Sequence, residues 1–125
     1  MMEIKSFEDL EVWKRAKELA VKIYKLTTTF PKDEIFGTTS QIKRAVLSVP
    51  ANIAEGFGRY HYLDKAKFYL NARGSLFELK SHLLVAADLK FMDETLTKQL
   101  TEDIDQIGIK INNLISATRR RASEQ

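Results

Sequence analysis

Apolar residues recur at steps of three and four along almost the whole chain, the spacing that lines one face of a helix. Leu10, Trp13, Ala16, Ala20, Ile23, Tyr24 and Thr27 predict a first helix over about 7–28. Three threonines and then Pro31 stop it, because β-branched residues form helix poorly and the residue before a proline avoids helical backbone. Ile42, Ala45, Val46, Val49 and Ile53 predict a second helix over about 38–57. Thr38-x-x-Gln41 reads as its capping box, and Gly56 and Gly58 as its end. Phe68, Ala72, Leu76, Leu79, Leu83 and Ala86 place a third over about 64–89. Asp93 caps a fourth over about 93–117, with Leu96, Leu100, Ile104, Ile107, Ile111 and Leu114 on its apolar face. That leaves 118–125 as a basic, flexible tail. No segment alternates as a strand does, and no Gly-Ser linker or repeat divides the chain. The expected fold is one all-α domain, 1–125: an antiparallel up-down four-helix bundle whose second helix bends at Pro50.

The second helix carries a polar stripe as well. Gln41, Arg44, Ser48, Asn52, Glu55 and Arg59 share one face, and Asn71, Ser75, Glu78 and His82 repeat the pattern on the third helix. A stripe of this kind is ordinarily a solvated surface. Serine and asparagine are poor choices for a free helix surface, however, and the small residues Ser48, Ala51, Gly74 and Ser75 let two backbones approach. The composition favours a polar network between helices or subunits, with Arg44 or Arg73 facing Glu55 or Glu78. Pro50 has no N–H, so the Val46 carbonyl loses its helical donor, and Asn52 stands near enough to offer a side chain. A packing kink explains Pro50 better than a catalytic role does.

Other features narrow the classes. The 125 residues include no cysteine, which excludes disulfides and thiolate metal sites. No apolar run approaches the roughly 20 residues that span a bilayer, and the charged start is unlike a signal peptide. The expectation is a cytoplasmic protein with no membrane partner and no cofactor. The net charge of +3 permits nucleic-acid contact without demanding it.

Several stretches resemble a known family. "FEDLEVWKRAKELAVKIYKLT", "FPKDEIFGTTSQIKRAVLSVPANIAEGFGR" and "FYLNARGSLFELKSHLLVA" are similar to proteins encoded in intervening sequences of bacterial 23S ribosomal RNA genes. The accessory variability proteins of diversity-generating retroelements are similar to these in turn. The resemblance spans Phe7 to Ile115, and its most specific pieces are Ser48 to Gly56 and Ala72 to Leu76. It implies a four-helix bundle assembled as a ring-like homopentamer, associated with nucleic acid and without enzymatic activity. The retroelement relatives imply a reverse transcriptase as a possible protein partner. The family's shared residues fall on Gln41, Arg44, Ser48, Pro50, Asn52, Glu55, Gly56, Arg59, Arg73, Gly74, Ser75 and Glu78, in a role more structural than chemical. The turn "YHYLD" after Gly-x-Gly-Arg departs from the Ser-containing turn usual in relatives.

Enzyme patterns do not fit. Helical ribonucleases of the HEPN type need an arginine four to six residues before a histidine that acts as acid–base; His61 and His82 have none there. A di-iron bundle needs paired Glu-x-x-His motifs, and Glu78 and His82 are four apart and alone. "GFGR" lacks the lysine of a phosphate-cradling loop. The remaining candidates are for nucleic acid. Arg59, Tyr60 and Tyr62 put a cation and two rings at a helix end, suited to phosphate contact and stacking or equally to a packed loop. Arg119, Arg120 and Arg121 follow the last helix, and Lys14 and Arg15 make the first helix basic. A reverse-transcriptase scaffold and an undetected nuclease are the alternatives.

Overall fold

The computed structural model describes residues 3–124. Four helices, α1 (Glu11–Thr27), α2 (Thr38–Phe57), α3 (Tyr62–Asp88) and α4 (Glu94–Ser123), make an all-α bundle, with no strand among the described residues. Each helix packs on its chain neighbours, α1 also meets α4, and no Cα of either diagonal pair lies within 8 Å of the other helix. The order around the bundle is therefore α1, α2, α3, α4, as short antiparallel connections dictate. Among the described residues no helix is long and apolar enough to cross a membrane.

The core is the set of apolar stripes. Ile23, Ile42, Val46, Ile53, Leu76, Leu83, Ile104 and Ile111 are fully buried. The α1–α4 contact closes the ring, and two ion pairs sit on it: Lys22 with Asp103 at 3.2 Å and Lys110 with Glu11 at 3.4 Å. Lys80 meets Asp105 at 2.8 Å across α3–α4. The acidic "TEDID" run thus faces two lysines on neighbouring helices. Exposed pairs of this kind fix orientation more than they stabilise.

Helix ends differ from the sequence expectations in four places. Residues 7–9 are a separate short 3-10 turn closed by a capping box between Ser6 and Asp9, and α1 begins at Glu11. The Thr38–Gln41 capping box does not form. Gly37 is the N-cap of α2, and the carboxylate of Glu34 accepts from the Thr38 N–H at 3.2 Å instead. α3 begins at Tyr62, two residues early. The largest difference is at the end: α4 runs on to Ser123, so Arg119, Arg120 and Arg121 lie on a helix and not on a flexible tail. Thr118 continues the buried stripe, and arginine and alanine are good helix formers, so nothing stops the helix there.

α2 runs through Pro50 as one helix, with the proline buried. Asn52 does not serve the Val46 carbonyl. Its amide donates to the Ser48 carbonyl at 2.8 Å, and the Ser48 hydroxyl donates to the Arg44 carbonyl at 2.9 Å. Helical side chains lean back one turn toward the N-terminus, so residue i−4 is within reach and residue i−6 is not.

Candidate functional site

The polar stripes stay on their own helices. Arg44 hydrogen-bonds Gln41 and Arg59 pairs with Glu55 at 3.0 Å, the first within α2 and the second at its C-terminal end. His82 meets Glu78 at 3.2 Å within α3. Arg73 reaches Asn112 of α4 at 3.0 Å, on the side of α3 away from the stripe. Within the chain, then, neither Arg44 nor Arg73 faces Glu55 or Glu78, and the expected cross-helix network is not formed by these pairs. The reason is reach: a partner one turn away on the same helix is nearer than one across a helix gap. Gly56 does have an interhelical role. A Cβ there would stand 2.7 Å from the Tyr69 ring, so the glycine is what lets α3 close on the end of α2.

The up-down topology brings the nucleic-acid candidates to one end. The start of α1, the end of α2, the start of α3 and the end of α4 meet there. An open cavity of about 410 Å³ at that end is lined by residues from around the bundle, including Leu10, Phe57, Tyr62, Leu114 and Arg121. Lys14 and Arg15 stand on the first turns of α1, with Arg15 paired to Glu11 at 3.4 Å. Tyr60 projects from the α2–α3 turn, 88% exposed. Tyr62 is half-buried at the cavity. Arg59 is partly committed, to Glu55 and to the face of Phe68 at 4.5 Å, a cation–π contact that holds it against the bundle. Arg119, Arg120 and Arg121 are exposed and in no ion pair among the described residues. They sit where a helix C-terminus attracts cations.

Two neighbours were not evident from the sequence. Lys65 reaches back eight residues to donate to the Phe57 carbonyl at 2.6 Å, capping α2 from α3. Burial lowers its pKa, and the nearby Tyr62 raises it by less. Tyr69, 2% exposed, has its pKa raised from 10.0 to about 12 by burial, so it stays a neutral phenol. The only foreshadowing of either lay in spacing: both fall on core-facing or flanking positions of the α3 stripe.

For chemistry the inventory is thin. Among the described residues no group of three or more His, Cys, Asp or Glu side chains could hold a metal ion. Glu78 and His82 form an exposed pair with no lysine or arginine side chain hydrogen-bonded to either among the described residues.

Known proteins give the remaining context. The model of the family described as "23S rRNA-intervening sequence protein" matches residues 8–113. A crystal structure from Bacteroides thetaiotaomicron VPI-5482, described as a protein with unknown function from the S23 ribosomal protein family, superposes with a TM-score of 0.78. It is 21% identical, over 84% of this chain and 95% of that one, and shows a shared fold. No curated protein matches.

Proposed function

This chain belongs to the 23S rRNA-intervening sequence protein family, and from that premise we propose a non-enzymatic, oligomeric protein that associates with nucleic acid through backbone contacts. The observation that carries the reading is the gathering of Lys14, Tyr60, Tyr62, Arg119, Arg120 and Arg121 at one end of the bundle, with three arginines on an ordered helix. Cations on a rigid helix lose little freedom on meeting phosphates, and exposed Tyr60 offers a ring for an unpaired base. A single copy carries +3. In the ring-like homopentamer that the family resemblance implies, five copies would carry about +15 and repeat each weak patch around an axis. Recognition would be of the backbone, weak in sequence preference and strong in salt dependence.

The test is an anisotropy titration with structured RNA and duplex DNA across salt concentrations, on protein of known mass. Replacing Arg119, Arg120 and Arg121 with glutamine should reduce the log–log salt slope by about 2–3 per bound copy, since each phosphate that a cation neutralises adds about 0.9 to that slope. Tyr60→Ala should weaken single-stranded binding by about 1–3 kcal/mol and leave duplex binding unchanged. Absence of binding at low salt removes the reading. A protein-interaction scaffold, such as one for a reverse transcriptase, then takes its place. One observation favours that second reading: Phe36, 96% exposed beside Ile35 in the α1–α2 connection, is an apolar knob on the surface.

A further inference from the structure

The cavity of about 410 Å³ beside Arg121 is built from two helical faces. Tyr62, Lys65 and Tyr69 step by three and four along α3, and Leu114, Thr118 and Arg121 step by four and three along α4. Such spacing puts each set on one side of its helix. Leu10 closes the cavity from the start of α1 and Phe57 from the end of α2. Its volume falls within the range of small-molecule sites, about 300–1,000 Å³.

Tyr69 is the oddity on that wall. It is 2% exposed, yet its hydroxyl makes no hydrogen bond among the described residues. A buried tyrosine hydroxyl ordinarily has a partner. Of the fully enclosed side-chain oxygens among the described residues, that of Thr39 alone lacks one. The Tyr69 oxygen is therefore not sealed in. It touches open space, and the cavity is the space that Tyr69 lines. Burial pushes its pKa up to about 12, so the hydroxyl keeps its proton and can donate.

The charge around the cavity has one sign. Lys65 and Arg121 line it, and among the described residues no carboxylate does. Lys65 gives one N–H to the Phe57 carbonyl at 2.6 Å, which leaves two of an ammonium's three donors. Arg121 is in no ion pair among the described residues. Acids elsewhere at this end are engaged: Asp9 accepts from the backbone of Lys5 and Ser6, Glu11 meets Arg15 and Lys110, and Glu55 meets Arg59.

These features select among ligands by their chemistry. A cation would meet two positive side chains. A neutral hydrocarbon would leave the Tyr69 hydroxyl unpaired and strip water from the cations without return. A nucleobase brings several donors and acceptors along its edges. Apart from the two cations, the wall offers it only the tyrosine hydroxyls and that of Thr118, which already donates to the Leu114 carbonyl at 2.7 Å. An apolar body with a single anionic head matches both the wall and the charge. We propose that the cavity binds a small apolar monocarboxylate, with its hydrocarbon body against Leu10, Phe57, Leu114 and Ala117 and its carboxylate held by Lys65, Arg121 and the Tyr69 hydroxyl. Binding of this kind is independent of the nucleic-acid reading above.

Octanoate is the probe, and octanol, the same chain length without the charge, is its control. Calorimetric titration of the whole chain, without nucleic acid, should show saturable octanoate binding about tenfold or more tighter than octanol, the step that a charge-assisted hydrogen bond adds. Ala117→Leu fills open cavity and removes no polar group. It should weaken octanoate about tenfold with the helical spectrum and the melting temperature kept. Tyr69→Phe removes only the hydroxyl. It should weaken octanoate about tenfold and leave the melting temperature of the unliganded chain unchanged or higher, since no bond within the chain is lost. A merely structural tyrosine gives the reverse, a lower melting temperature and an unchanged affinity. Arg121→Gln should close most of the gap between octanoate and octanol. No saturable octanoate binding at millimolar concentration, or octanol bound as tightly as octanoate, overturns the proposal. So does octanoate binding indifferent to Ala117→Leu; a change in the emission of Trp13, which lies between α1 and α2 and not on the cavity, would then place the ligand there. Adenosine monophosphate is the rival probe. If it binds more tightly than octanoate and Ala117→Leu removes both, or if Ala117→Leu alone abolishes RNA binding, the cavity belongs to nucleic acid and the proposal falls. RNA binding kept by Ala117→Leu while octanoate binding is lost supports it and separates the two readings.

Discussion

At Lys90 the backbone turns left-handed, with φ 66°, the one such non-glycine residue among those described. The turn ends α3 in a pair of bonds, Lys90 N–H to the Ala87 carbonyl and Phe91 N–H to the Ala86 carbonyl, both 3.0 Å. That is the Schellman arrangement, where glycine is the usual residue because a Cβ crowds the carbonyl. Lys90→Gly should therefore raise stability by about 0.5–1 kcal/mol, net of the freedom glycine adds to the unfolded chain. The measurement is the denaturant midpoint at unchanged slope. A midpoint that stays or falls would show that the lysine is held there by something other than the turn. Single residues decide the α2–α3 junction too. Gly56 admits the Tyr69 ring, and Lys65 closes the open carbonyl of Phe57.

Among the elements, α2 shows how a helix can be capped from outside its own signature. Thr38 and Gln41 have the right spacing for a box, yet the carboxylate that meets the first turn is Glu34, one turn upstream. Its charge also suits the positive end of the helix. Glu34→Ala should cost about 1 kcal/mol and Thr38→Ala much less; thermal melts of the two side by side distinguish them, and the reverse order would restore the box. The four helices were legible because each needs an apolar stripe at helical spacing, and the stripes in Ile42–Ile53 and Leu100–Ile111 are unbroken. The end of α4 was not, because large apolar residues stop at Ile115 while the helix is carried on by buried Thr118 and by arginine propensity. The polar stripe was only half legible. Spacing places Arg44, Asn52, Glu55 and Glu78 on faces, but it does not say whether their partner is one turn away or one helix away. For these four the answer within the chain is one turn away.

At the scale of the whole molecule, arginines near the end of the chain and tyrosines in a turn near its middle come to the same end of the bundle. That follows from antiparallel topology alone, since the starts of α1 and α3 must lie beside the ends of α2 and α4. If copies of the chain associate, folding and assembly share free energy, and the melting temperature should rise with protein concentration. A melting temperature independent of concentration would separate stability from assembly. The apolar surface between α1 and α2, built by Trp13 through Pro50, is complete in sequence before the exposed Leu63, Phe77 and Leu84 of α3 have been made. During synthesis, at about 5–20 residues per second, the chain completes the α1–α2 surface about 2–7 seconds before the exposed apolar residues of α3.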